Sequence, residues 1–142
     1  MRFSEAMQTV TRHADGWQAT VSEDWLQGRS AFGGLQAALA LRAMRELVPA
    51  DMPLRSLQVT FLAPVPAGAV DIRARLLRAG RSVIQVEASL CDGEQTLCRL
   101  LGVFGSARPS VLGVQPEQPP VVAAAPQELR YVEGRMPAFT QH

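Results

Sequence analysis

The sequence predicts an α+β domain, an antiparallel sheet packed on one central helix. Residues 56–104 fall into four segments that alternate apolar and polar side chains with a period of two, as strands with one buried face do. The segments are joined by Pro64 to Gly68, Ala79-Gly80 and Cys91 to Glu94, connections short enough for antiparallel neighbours. Ahead of them lies one strongly helical segment, Gly33 to Val48, so apolar around its circumference that it needs a sheet to bury it.

Each element has its own signal. Met7 to Arg12 and Trp17 to Ser22 read as a hairpin closed at Asp15-Gly16, a dipeptide that favours the positive φ of a tight turn. In the helix, Leu35, Leu39, Met44, Leu47 and Val48 are large, while Ala37, Ala38, Ala40 and Ala43 let a sheet come close to the backbone. Its polar residues are Gln36 in the first turn and the Arg42, Arg45, Glu46 stripe, which shares one face. Pro49 and Pro53 stop it. Ser56 to Leu62 sets Leu57, Val59 and Phe61 against Gln58 and Thr60, and Val70 to Arg78 sets Val70, Ile72, Ala74 and Leu76 against Asp71, Arg73 and Arg75. Arg81 to Leu90 places Ile84, Val86 and Ala88 opposite Gln85, Glu87 and Ser89, and Thr96 to Phe104 is the most apolar strand. With Asp92-Gly93 as the turn, Cys91 faces Glu94 and Cys98 lies near Glu87, out of register for a cross-strand disulfide.

Composition removes several function classes. A chain of 142 residues that is 47% hydrophobic and 19% charged can build a single core and is not mainly disordered. Its 14 basic and 13 acidic residues are scattered, so no nucleic-acid partner is expected. Every basic residue is arginine, which excludes Schiff-base and P-loop lysine chemistry. Two cysteines are too few for a disulfide framework, and no cluster has metal-ligand spacing, so neither metal nor cofactor is expected. Arg2, Glu5 and Gln8 interrupt any signal-peptide core, and no apolar stretch is long enough to span a membrane. A soluble, cytoplasmic protein without a membrane partner is the expectation. From Arg108 the chain turns proline-rich, with Pro109, Pro116, Pro119, Pro120 and Pro126. The expected division is a structured domain over 1–107, an extended linker over 108–127 and a tail over 128–142.

Three stretches resemble the acyl-CoA thioesterase II family, in its first hotdog repeat. Gly28-Arg29-Ser30-Ala31-Phe32-Gly33-Gly34, leading into an alanine-rich helix, resembles that family's R-x-x-F-G-G stretch. Leu54-Arg55-Ser56-Leu57-Gln58-Val59-Thr60-Phe61-Leu62-Ala63-Pro64 resembles its h-S-h-x-x-x-F-h-x-P strand. Leu77-Arg78-Ala79-Gly80-Arg81-Ser82 resembles its L-R-D-G-R-S turn, with Ala79 where the family usually has Asp. The resemblance runs roughly from Trp17 to Gly105 and implies the hotdog fold, a curved antiparallel sheet around one long helix. It also implies a second repeat, whose opening Met136-Pro137-Ala138-Phe139 resembles, and which in the family carries the Asp, Thr and Gln that handle the hydrolytic water. The chain is then either part of a longer protein or a single-repeat version.

Thioester hydrolysis needs an attacking water, a base and donors for the oxyanion. Gly33 and Gly34 open a buried helix whose free N–H groups favour a polarised carbonyl, though such a pair serves tight packing equally well. Phe32 and Leu35 flank them as candidate substrate contacts; Trp25 and Phe32 could also simply close the core. The resemblance makes an early-helix carboxylate the expected base of a single-repeat hydrolase, but Gly33 to Leu39 contains none. Gln36 could orient a water through its amide without taking its proton. Glu46 comes late and sits beside Arg42 and Arg45, as in an ion pair. The resemblance puts Ser56 where the second repeat has its catalytic Thr, with Thr60 on the same strand face; otherwise these are buried hydroxyls satisfied by backbone. Arg81, with Arg29 and Arg78, is a candidate contact for coenzyme A phosphates. His13 has no partner that suggests nucleophilic catalysis. The reading is an acyl-CoA thioesterase-like protein, a homodimer or paired with a second repeat. The alternative is a non-catalytic hotdog module that binds acyl thioesters or supports a catalytic repeat.

Overall fold

The computed structural model describes residues 1–118. Its first element departs from the alternation over Met7 to Arg12: Phe3–Gln8 is a helix (α1), and only Thr11–His13 (β1) is extended. Local hydrogen bonds favour the helix. Arg2 N–H donates to Glu5 Oε2 at 2.7 Å, the Thr9 hydroxyl donates to the Ala6 carbonyl at 2.7 Å, and Ala6 is buried. Trp25 Nε1–H donates to the Met1 carbonyl at 2.9 Å, and the Met1 ammonium meets Asp24, tying this segment to the body.

β1 pairs with Gly16–Val21 (β2) through a turn centred on Ala14-Asp15, with His13 opposite Gly16. The positive φ falls on Ala14, at 46°, not on Gly16. Gly16 is required for a different reason: a Cβ there would lie 2.6 Å from the Ile72 carbonyl oxygen on the neighbouring strand. After one 3-10 turn, Leu26–Gln27 (β3) and Ser30–Ala31 (β4) form a small ribbon that leads into the long helix Gly33–Arg45 (α2).

That helix ends before Val48. Arg45 donates to the carbonyls of Met52 at 2.6 Å, Ala50 at 2.8 Å and Pro49 at 3.4 Å, so its guanidinium satisfies the turn that follows. Arg45 therefore does not pair with Glu46. Glu46 instead accepts from Trp17 Nε1 at 2.9 Å, Arg12 Nε at 3.2 Å and Arg42 at 3.5 Å. The Trp17 hydrogen bond, with Arg12 and Arg42 adding charge, holds its carboxyl below the usual 4.5.

Four strands follow: Leu54–Phe61 (β5), Gly68–Ala79 (β6), Val83–Asp92 (β7) and Gln95–Gly105 (β8). The six-stranded antiparallel sheet runs β1-β2-β6-β7-β8-β5. β5 is thus an edge strand beside β8, not a neighbour of β6, and the short 62–67 connection is a crossover. It passes below the start of α2, where the fully buried Val65 donates its N–H to Ser30 Oγ at 3.0 Å and accepts from Ala31 N–H at 2.7 Å. Six extended residues reach about 20 Å, enough to cross three strand spacings of about 4.8 Å in a sheet that curls around its helix.

The β7–β8 turn also differs in position. Asp92 pairs with Gln95, so the turn is Gly93-Glu94, with φ 55° at Gly93. Cys91 consequently faces Thr96 and Cys98 faces Leu90; both thiols are free and buried. Burial pushes the Cys98 thiol up to about 11.

The concave face of the sheet presents Trp17, Ile72, Val86, Leu90, Leu100 and Phe104 to Leu35, Leu39, Ala40, Ala43 and Met44 of α2. On the helix, Gly34 is exposed and Ala37, Ala38 and Leu41 are only half-buried, so the described residues leave one face of α2 incompletely covered. Residues 106–118 have no regular structure and are exposed. The remainder of the expected linker and the 128–142 tail lie outside the described residues.

Candidate functional site

An open cleft of about 450 Å³ lies at the N-terminus of α2, lined by Gln27, Ser30, Ala31, Gly33, Gln36 and the β5 end with its crossover, Phe61 to Pro64. Its floor is built by the two motifs the chain brings together: β4 running into α2, and β5 running into the crossover. At the helix start, Leu35 and Gln36 N–H both donate to the Phe32 carbonyl, at 3.0 and 3.2 Å. The N–H groups of Gly33 and Gly34 have no acceptor among the described residues. They are orphan donors at the positive end of a 13-residue helix dipole.

Both glycines also lie close under aromatic rings. A Cβ at Gly33 would lie 2.9 Å from Phe61 Cζ, and one at Gly34 would lie 2.5 Å from Phe32 Cε1. The half-exposed Phe61 ring therefore lies against the first residue of the helix, at the mouth of the cleft.

Among the described residues Gln36 is the one buried polar residue of the core, 3% exposed. Its Nε2 donates to the Ala31 carbonyl at 2.6 Å and to Ser30 Oγ at 3.3 Å. Its Oε1 is buried and has no partner among the described residues. Turning the amide over would set an oxygen against the Ala31 carbonyl oxygen, so the acceptor end is the free end. Gly33 and Gln36 thus line the cleft with Gly34 beside them, the Gln36 acceptor lying buried behind its wall, and no carboxylate or histidine among the described residues lines it. Such a site can polarise a carbonyl and hold a water, and the described residues that line it supply no base.

The other candidate residues are spread more widely. Gly33 and Gln36 meet in the cleft; Gly34 and Phe32 border it; Leu35 is 1% exposed in the core. Trp25 closes the core, 6% exposed. Ser56 and Thr60 are exposed rather than buried, on the face of β5 turned away from α2, with Thr60 opposite Arg99. Arg81 sits in the β6–β7 turn beside Ser82, whose carbonyl accepts from Ser106 N–H; that turn lies at the far end of the sheet from Phe61. The chain alone does not bring Ser56, Thr60 or Arg81 to the cleft. Ser30 and Phe61 do line it. Ser30 stands inside a motif where it reads as a spacer, and the alternation of β5 assigns Phe61 to the core.

The family model of the acyl-CoA thioesterase N-terminal domain matches residues 21–105, more than half of the chain and all of the cleft. The chain belongs to this family. Thioesterase-family membership accounts for the three motifs and places the chain with N-terminal hotdog repeats. Solved structures agree on the fold. A hot dog fold protein of unknown function from Alicyclobacillus acidocaldarius is 24% identical at a TM-score of 0.82, over 98% of this chain and 52% of its own. A candidate thioesterase II from Thermobifida fusca is 23% identical at a TM-score of 0.67, over 84% of this chain and 46% of its own. The BH2602 protein from Bacillus halodurans, solved with CoA, is 17% identical at a TM-score of 0.56, over 64% of this chain and 66% of its own. The chain spans about half the length of the first two. A search of curated proteins finds no match. The fold is the hotdog fold, α+β, as the resemblance implies. No helix of the described residues is long and apolar enough to cross a membrane.

Proposed function

We propose that this hotdog domain binds an acyl-CoA thioester at the α2 N-terminus and forms half of a site that hydrolyses it to the free acid and CoA. The observation that carries the reading is the meeting, at one cleft, of the orphan Gly33 N–H, with that of Gly34 beside it, and the buried amide of Gln36. The thioester carbonyl oxygen lies at the Gly33 and Gly34 N–H groups, which gain strength as charge develops on it. The attacking water donates a hydrogen to Gln36 Oε1. Gln36 orients that water; a base from outside this chain's cleft removes its proton, and the CoA thiolate leaves as the carbonyl re-forms. The B. halodurans protein, solved with CoA, supports this ligand class.

The base and the rest of the wall come from a second hotdog repeat or a second copy, seated on the β5 edge and the incompletely covered α2 face. Arg81, far from the cleft of its own chain, belongs to the proposal only as a phosphate contact across such a pairing. Ser56 and Thr60 have no role in it through this cleft. The chain works in the cytoplasm, where its two buried thiols stay reduced.

A second reading rests on the absence of any carboxylate or histidine from the cleft lining: a binding module that serves a catalytic partner. One experiment separates the two. Thiol release from short-, medium- and long-chain acyl-CoAs is followed alongside calorimetric binding of the same compounds' thioether analogues. Turnover that Gln36→Ala abolishes supports a working site built by self-pairing. Saturable binding without turnover supports half of a site that awaits its second repeat, or the module, and neither signal removes the acyl-CoA reading.

A further inference from the structure

Ser30 is the hub on which the cleft's polarity turns. Its Oγ accepts from Val65 N–H at 3.0 Å and from Gln36 Nε2 at 3.3 Å, and donates to the Ala31 carbonyl at 3.4 Å. That carbonyl in turn accepts from Gln36 Nε2 at 2.6 Å. A serine hydroxyl has one hydrogen and two lone pairs, and all three are used here. Val65 is fully buried in the crossover, so its N–H would be an orphan without Ser30. The crossover backbone therefore fixes where the hydroxyl stands, and the hydroxyl, together with the Ala31 carbonyl, ties the Nε2 end of the Gln36 amide and leaves its oxygen unpartnered.

We propose that Ser30 is a positioning residue: clamped by the crossover, it holds the Gln36 amide with its oxygen free, so that this end of the cleft accepts a hydrogen-bond donor and rejects a carbonyl oxygen. The polarity is functional, because the thioester oxygen and the water must not exchange places. A carbonyl oxygen is welcome at the Gly33 and Gly34 N–H groups and repelled at Gln36 Oε1, whereas a water hydrogen is welcome only at the latter. This rests on the proposed reading of the cleft for its catalytic meaning, but the clamp itself is a property of the unliganded chain.

The test reads the side-chain amide signals of Gln36 in 15N-labelled protein, assigned by their loss in Gln36→Leu. The wild-type chain and Ser30→Thr, which keeps the hydroxyl, are expected to show two well-separated, slowly exchanging Nε2 protons. Ser30→Ala is expected to narrow the separation and to speed exchange with water about tenfold, as losing one neutral hydrogen bond predicts. Unchanged Gln36 signals in Ser30→Ala, or a Ser30→Thr chain that behaves like Ser30→Ala, overturn the proposal. If Ser30→Ala loses the native backbone pattern, Ser30→Cys replaces it, since its thiol keeps the size but is a weak acceptor. In turnover, Ser30→Ala lowers kcat about tenfold with KM unchanged and adds nothing in a Gln36→Leu background. An additional loss in that background overturns the route through Gln36. A wild-type chain that neither turns over nor binds acyl-CoA overturns the acyl-CoA reading instead, while the amide signals still decide the role of Ser30.

Discussion

Gln36→Leu is expected to make this protein more stable and less functional. Gln36 is 3% exposed, and its Oε1 is a buried acceptor without a partner. Such an orphan costs about 1–3 kcal/mol. Against this, the two bonds from Nε2, to Ala31 at 2.6 Å and Ser30 at 3.3 Å, together contribute roughly 1–3 kcal/mol. Leucine has a similar volume and removes both terms. The Ala31 carbonyl is not left bare, since the Ser30 hydroxyl still donates to it at 3.4 Å. Burying the leucine methyl groups in place of an amide adds about 1–2 kcal/mol. The sum is a gain of roughly 1–2 kcal/mol, or a melting temperature higher by about 3–6 °C per kcal/mol for a folded body of this size. Urea and thermal unfolding followed by circular dichroism measure the gain, and acyl-CoA binding or turnover measures the loss. A Gln36→Leu protein destabilised by more than about 2 kcal/mol would refute the reasoning, because the acceptor would then have to be satisfied in the native state and the residue would be structural.

Other substitutions test the frame around the cleft. Gly16→Ala drives a methyl against the Ile72 carbonyl and is expected to cost about 2–3 kcal/mol in urea denaturation; Gly102→Ala meets Met44 Sδ and the Phe104 ring, both at 3.1 Å and both side chains rather than backbone, and should cost less. Glu46→Gln weakens the bond to Trp17, and the gap to wild type is expected to depend on pH. The Glu46 carboxyl is lowered by folding, so its contribution is fully present above 4.5 and is lost as pH falls through the lower, native value. Trp17 fluorescence during unfolding between pH 7 and pH 3 reads this, and a gap independent of pH would contradict it. Cys98, held near 11 by burial, and the equally buried Cys91 should react with a disulfide reagent only as fast as the chain opens; rapid native labelling of either would show a looser β7–β8 pair. Ser56→Ala should leave ligand binding unchanged by calorimetry, because its side chain lies on the face of β5 away from the cleft.

The fold class, the central helix and the four long strands were legible in the residue order, because they follow from periodicity. A period-two run from Ile84 to Leu90 can bury one face only as a strand, and a helix apolar at Leu35, Leu39, Ala40, Ala43 and Met44 can be satisfied only beneath a sheet. The residue order also carried Gly33 and Gln36, which lie three residues apart on one helical turn. What it could not carry were relations between distant segments. Connection length alone suggests that β5 and β6 pair; only the curl of the sheet makes β5 an edge and turns residues 62–67 into a crossover. Helix α1 in place of a strand depended on a capping contact at Arg2 and Glu5 and on burial of Ala6. The cleft was decided in the same way. Ser30 and Phe61 enter it because β4 and the end of β5 converge on the helix start, whereas Ser56, Thr60 and Arg81 are carried by the strand pleat or by sheet length to other surfaces. Local pattern reports which face of its own element a residue occupies. Which other element meets that face is set by the pairing register and the curvature of the whole sheet, and these exist only in the folded chain.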